Sequence, residues 1–319
     1  MTVHPSRRGV LTGVAATALT AATPAGRAFA QAPGGEGGAG RQGGAGQEPI
    51  EGQERIEGRL RALERAHSAR LGVFACDTVT GRTVHYRADE PFPFCSTFKT
   101  IAVAAVLRDL DRDGEFLASR IRYTDRDVTE SGYAPITGLP ENLTGGMTVA
   151  SLCAAAIDHS DNAAANLLLR ELGGPDAVTR FCRSLGDRVT RLDRWEPALN
   201  SAEPGRESDT SSPRALGRTY ARLTLGDALD APDRERLTGW LLGNTTSGNR
   251  FRAGLPQGWT VADKTGTGGY GTTNDVGIAW PPGRGPIVLA VLSTRHDPAA
   301  PADEPLVAET ARLVAAALA

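Results

Sequence analysis

The sequence predicts an α/β (α+β) sandwich. Both chain ends build one antiparallel, five-stranded sheet, terminal helices flank it, and an all-helical subdomain is inserted between its strands. Three observations carry this. Strand-like segments cluster toward the ends, at Leu71–Thr78 and Thr83–Arg87 and again at Trp259–Thr267, Asp275–Trp280 and Ile287–Thr294. Between them the apolar runs have helical length. Each end also carries a helix able to cover a sheet: Gly52–Ser68, with Ile56, Leu60 and Leu63 at helical spacing, and the apolar-striped Glu304–Ala319.

Residues 1–30 read as a twin-arginine signal peptide. Ser6-Arg7-Arg8-Gly9-Val10-Leu11 precedes an Ala/Thr/Leu run to Ala22, and Ala28-Phe29-Ala30 is a small-x-small cleavage pattern that would leave Gln31 first. A disordered basic terminus is the plainer alternative. Residues 31–49, rich in Gly, Ala and Gln, read as a flexible tether. The remaining chain divides into an α/β subdomain, residues 50–91 and 244–319, and a helical subdomain, residues 92–243. No cysteine precedes Cys76 to carry a lipid, and no other apolar run is long enough to span a bilayer. The expectation is a protein without membrane anchor, exported by the twin-arginine route to the periplasm or medium, and monomeric.

After the first hairpin, turning at Thr80-Gly81, two prolines in Pro91-Phe-Pro-Phe94 end the extended chain. A helix then begins near Ser96 and is apolar on every side from Phe98 to Leu107, which marks it as buried. Residues 109–146 are polar and turn-rich. Helices follow at Met147–Ile157, Ala163–Leu172 and Asp176–Leu185, then a long polar loop to Pro213, then helix to Leu242. Loops of that length in compact domains are usually functional or disordered.

The formal charge is −2 and drops to about −5 once Arg7, Arg8 and Arg27 are removed, which leaves no basic footprint for nucleic acid. Cys76, Cys95, Cys153 and Cys182 lie in apolar segments without C-x-x-C spacing and read as buried thiols, with a disulfide left open. The scattered histidines form no zinc-binding spacing, so neither a metal nor another cofactor is implied. Lysine use is sharper. Of 35 basic residues only Lys99 and Lys264 are lysines. Lysine differs from arginine in being able to give up its proton when desolvated, so both are candidates for chemistry. Ser96 and Lys99 sit three apart, on one helical face; alone, that pair could equally be a capping serine beside a lysine stretching past it.

Three islands then stand in order: Ser96-Thr-Phe-Lys99, Ser160-Asp-Asn162 and Lys264-Thr-Gly266. A fourth is Arg194-Trp-Glu196-Pro-Ala-Leu-Asn200, followed by Asp209-Thr210. The chain resembles the active-site-serine, penicillin-recognising superfamily in the first three, and its class A serine β-lactamases in the fourth, over roughly residues 50–319.

The resemblance implies hydrolysis of β-lactams, penicillins and some cephalosporins, through an acyl-enzyme. It makes Ser96 the nucleophile and Lys99 its proton acceptor or electrostatic partner, with Ser160 the relay to the departing nitrogen. It makes the backbone N–H groups of Ser96 and Thr267 the oxyanion hole. Glu196 and Asn200 would hold the hydrolytic water on an Ω-loop, about residues 191–212, pinned by Arg194 and Asp209. Asn162 would meet the substrate's acylamino side chain, while Lys264, Thr265, Gly266 and Thr267 would meet its carboxylate. Arg250 matches a position where some relatives supply a guanidinium, the usual place near Thr273 being without one; a surface arginine is the plain alternative. Tyr133 would form a cleft wall or pack in the core. Two relatives' disulfides are excluded, because Gly268 stands where Cys95 would need a partner and residues 97–110 offer none to Cys153. The closest rival is a D-alanyl-D-alanine peptidase or other penicillin-binding protein, which shares three islands but acylates and stalls; a non-catalytic β-lactam sensor would need a membrane segment.

Overall fold

The computed structural model describes residues 48–318; the expected signal peptide and most of the expected tether lie outside them. Helix α1 (Glu48–Ala66) starts at the end of the predicted tether and leads into β1 (Arg70–Asp77) and β2 (Thr83–Tyr86). A short strand β3 (Phe92–Pro93) precedes a 3₁₀ turn, Cys95–Thr97, which holds Ser96. Lys99 lies in the first turn of α2 (Phe98–Ala105), whose every residue is buried, and the helix unwinds through a π-turn to Leu110.

The region expected to be turns contains α3 (Glu115–Ala118), β4 (Arg120–Ile121), α4 (Asp125–Ser131) and α5 (Pro140–Gly145). These helices span two turns at most, too short to repeat an apolar face, and α4 rests on a Thr124/Asp127 capping box. Next come β5 (Met147–Thr148), α6 (Val149–Asp158), α7 (Asn162–Glu171) and α8 (Asp176–Ser184). The following loop touches down at β6 (Thr210–Ser211), and the predicted helix to Leu242 is two, α9 (Pro213–Thr224) and α10 (Ala231–Leu242), each with proline in its first turn. The helical stretch thus also carries two two-residue ladders, β3 with β6 and β4 with β5, too short for any period-two pattern. A short α11 (Phe251–Gly254) precedes β7 (Thr260–Thr267), β8 (Thr273–Trp280), β9 (Ile287–Thr294) and α12 (Glu304–Leu318).

The main sheet has five strands in the order β2-β1-β9-β8-β7, all neighbours antiparallel. Both faces are covered, so its strands read as apolar runs. Ala262, Val276, Ala290 and Leu292 join one core with α2, α6 and α7, while Val261, Ala279, Leu289 and Val291 join another with α1 and α12. β7 is an edge strand, and the Cys95–Thr97 turn packs against it. That contact brings the first island to the third.

Gly254 is where α11 meets α12: a Cβ there would collide with the Ala308 carbonyl oxygen and stand 2.8 Å from its carbon. Backbone cannot yield as a side-chain tip does. Gly254→Ala is expected to lower unfolding free energy by about 1–3 kcal/mol, read by urea denaturation; an unchanged midpoint would contradict the contact.

Candidate active site

Lys99 is fully buried, and its ammonium draws three segments together. Nζ donates to the Asn162 Oδ1 at 2.6 Å, the Ser160 carbonyl at 2.8 Å and, more weakly, the Ser160 hydroxyl at 3.4 Å. It lies 3.1 Å from Glu196 Oε1. Burial pushes the ammonium below the usual lysine range, and the Glu196 carboxylate opposes that shift. Ser96 Oγ donates to the same Glu196 oxygen at 3.3 Å. Nucleophile-type hydroxyl, amine and carboxylate therefore meet in one water-poor cluster.

The S-D-N island is a joint between α6 and α7. Ser160 has φ +57°, a left-handed conformation that turns its carbonyl to Lys99. Asp161 caps α7 through the Ala164 N–H and also accepts from Ile136 and Thr137 N–H. Asn162 donates its Nδ2 to the Ser131 carbonyl and its backbone N–H to that of Tyr133. The segment bearing Tyr133 is thereby fixed, with the ring about half exposed at 54% rather than packed in the core.

Glu196 is held from three sides. Asn200 Nδ2 donates to its Oε2, while Asn166 accepts from its N–H at 3.0 Å and donates to its carbonyl at 2.9 Å. Sequence reading missed Asn166. The available signal was its place one turn beyond Asn162 on α7. The base of the loop is tied where Asp209 accepts from the Arg194 Nε at 2.5 Å and from the N–H groups of Asp193 and Arg194. Its tip is tied where Gly269 N–H donates to the Asn200 carbonyl at 2.8 Å. Asp209, like Cys95, has positive φ.

β7 supplies the third wall. Lys264 is fully buried, and desolvation, then Lys99 and Arg250, push its ammonium well below the lysine range. Its Nζ donates to the Thr265 carbonyl at 3.1 Å. Thr265 and Thr246 share a hydroxyl hydrogen bond. Gly266 is required by packing, since a Cβ would meet the Phe94 carbonyl oxygen at 2.8 Å. Gly268 is similar, 2.6 Å from the Asn200 carbonyl oxygen and 2.7 Å from Cys95 Sγ. All four cysteines are free thiols. Arg250 is no surface arginine. It is 4% exposed, donates to the Gly266 and Asn274 carbonyls at 2.9 and 2.8 Å, reaches the Thr267 hydroxyl at 2.7 Å and pairs with Glu304. Its low visibility in sequence reflects the distance, 17 residues, to the hydroxyl it meets.

Comparison with known proteins points the same way. The family profile described as "Beta-lactamase enzyme family" matches residues 55–318. The chain belongs to the class A serine β-lactamases. A β-lactamase of Streptomyces lavendulae is 63% identical over 315 residues, covering 99% of this chain and 98% of that one. One of Streptomyces fradiae is 65% identical over 318 residues, with the same coverage. The solved β-lactamase of Streptomyces albus G superposes with a TM-score of 0.82 at 66% identity, covering 82% of this chain and 98% of the other. The predicted sandwich is the fold of this β-lactamase family, and of the rival readings the family favours hydrolysis over a stalled penicillin-binding protein.

Asn166 ties α7 to the Glu196 backbone through both of its side-chain atoms. Asn166→Ala leaves a buried N–H and C=O without partners, at about 1–3 kcal/mol. The expected result is a lower melting temperature together with faster proteolytic cleavage within residues 191–212. Cleavage elsewhere at the same rate would assign Asn166 to general packing.

Proposed function

We propose that Ser96 is the acyl-accepting nucleophile of this β-lactamase and that Glu196 activates the water that frees it. The observation that carries the reading is the single Glu196 oxygen lying 3.3 Å from Ser96 Oγ and 3.1 Å from Lys99 Nζ, with Asn200 on the other oxygen. A serine hydroxyl is a weak nucleophile until a neighbouring base takes its proton. Either Lys99, with its depressed pKa, or Glu196 is within reach for this. As Oγ adds to the β-lactam carbonyl, the N–H groups of Ser96 and Thr267 stabilise the oxyanion. Ser160, bonded to Lys99, passes a proton to the ring nitrogen as the C–N bond breaks. Water held by Glu196 and Asn200 on the Ω-loop, residues 191–212, then attacks the ester. The Arg194–Asp209 pair keeps that loop closed.

The substrate's carboxylate is taken by Lys264, Thr265, Thr267 and Arg250 along β7, with Gly266 keeping that strand close to the nucleophile. Its acylamino side chain meets Asn162, and Tyr133 walls the cleft. Penicillins and some cephalosporins are the substrates, and the enzyme acts as a monomer. Among the described residues no helix is long and apolar enough to cross a membrane. Export by the twin-arginine route, to the periplasm or medium, completes the reading, with residues 1–30 as signal peptide and 31–49 as tether.

Glu196→Ala keeps Ser96, the oxyanion donors and Lys99, and is expected to acylate yet deacylate about 10²–10⁴-fold more slowly. Mixing with benzylpenicillin should give about one equivalent of product, then near-silence, with the adduct visible by intact-mass spectrometry. Ser96→Ala should abolish that adduct. Wild-type turnover by Glu196→Ala would overturn the role given to the carboxylate.

Replacing Arg7 and Arg8 together by lysine should strand the enzyme inside the cell, because the pair is a receptor-read address rather than generic charge. Undiminished extracellular activity would mean the general secretory route.

A further inference from the structure

Two buried acids lie behind β7 that the chemistry above does not use. Alternation places Asp263, Thr265 and Thr267 on one face of that strand, the face turned to α11. Across the ladder Asp275 is the partner of Thr265 and so sits diagonal to Asp263. Both carboxyls are completely buried. Asp263 Oδ1 accepts from Asn244 Nδ2 at 3.1 Å and from Arg252 at 3.2 Å, and Asp275 Oδ2 accepts from the Phe251 N–H at 3.2 Å. The remaining oxygens, Asp263 Oδ2 and Asp275 Oδ1, have no donor at all. The register thus sets two orphaned carboxyl oxygens on neighbouring strands of one sheet face.

Two adjacent buried carboxylates with an orphaned oxygen each would be severely unstable. One proton resolves both deficits, since a protonated carboxyl donates where a carboxylate accepts. We propose that Asp263 and Asp275 share a single proton, as an acid hydrogen-bonded to a carboxylate, and that this pair positions Arg250 by fastening residues 244–252 to β7 and β8. The fastening points are Asn244, Phe251 and Arg252, and Arg250 lies between them with its guanidinium on Thr267. The shared proton also leaves one negative charge rather than two beside the cations that face a substrate carboxylate. Asp263 and Asp275 are thus positioning residues.

Of the groups around the pair, on both faces of the sheet, the cations favour the ionised form, Arg250 among them, so the proton is held by burial and by the second carboxyl. Lys264 on β7, Arg250 and Arg252 from the preceding segment, and Tyr220 from α9 are its charged or titratable neighbours, and α12 contributes Glu304, already paired with Arg250. α10 turns the buried Leu237 and Leu241 inward. Burial and then the Asp263 charge push the Asp275 carboxyl well above its ordinary 3.8.

The test uses the full-length protein. Infrared spectra of the wild type at neutral pH should carry the carbonyl stretch of a buried protonated carboxyl, and Asp275→Asn should lose it. Because the folded pKa is raised, the proton's contribution to stability is complete below the unfolded pKa and is lost as pH rises toward the folded value. Asp275→Asn has no such titration, so its melting temperature should gain on the wild type as pH rises from about 4. Asp275→Ala should raise KM for benzylpenicillin about tenfold with a smaller change in kcat, and Asp275→Asn should bring KM back. Only this last arm rests on the carboxylate role proposed for Arg250, so its failure alone would count against that role. A wild-type spectrum without the band would overturn the proposal even if neither variant folded. A stability that follows sodium concentration instead of pH would also overturn it, by making the occupant a cation.

Discussion

An ammonium group cannot be taken out of water without replacing what the water supplied. For an unpaired ion the cost after relaxation is several kcal/mol. Lys99 meets this with a carboxylate from the 191–212 loop and with an amide oxygen and a backbone carbonyl from the joint between α6 and α7. Much of the local architecture follows from bringing those three to one point. The Ser160 carbonyl is available because that residue accepts a left-handed backbone. The amide is available because Asn162 opens a helix whose cap, Asp161, is anchored to the facing wall. The carboxylate is available because a long loop is tied down at base, middle and tip. Removing any of these leaves a charge buried without its partner, the costliest defect a core can hold.

The second organising element is an edge strand with a task. Edges of sheets invite association with other chains, and β7 is kept from this by the turn that holds Ser96, which lies against it. Close approach demands residues without side chains, which is why Gly266 and Gly268 have no room for a Cβ. On its other face the same strand meets Arg250, the threonine hydroxyls and the two buried acids. One strand therefore carries packing on the helical core, contact with the Ser96 turn, and the anchoring of Arg250.

How much of this was legible depended on whether a feature is written locally. Strands and long helices announce themselves through runs and periods, and the S-x-x-K, S-D-N and K-T-G islands through composition at fixed offsets. The sheet, the terminal helices and the meeting of Ser96, Lys99, Ser160 and Glu196 were all readable. Elements without a repeat were not: the two-residue strands, the short helices between residues 115 and 145, and the break separating α9 from α10. Neither were partnerships between distant residues of common type. Asn166 looked like any helical asparagine, and Asp263 and Asp275 like ordinary strand acids, until the fold set their partners beside them; Arg250 was marked among 33 arginines only by the resemblance, and its partners were not.

The arginine-for-lysine economy has a practical corollary. On most proteins amine-reactive reagents label a crowd of exposed lysines and report little about function. Here the side-chain amines number two, Lys99 and Lys264, and neither has any solvent exposure. The outer surface therefore offers acylating or reductive-alkylating reagents no lysine at all. Immobilisation through amines would have only the chain terminus to use. Conversely, any reagent found on a lysine must have reached the buried cluster, which makes amine modification a gauge of access to it.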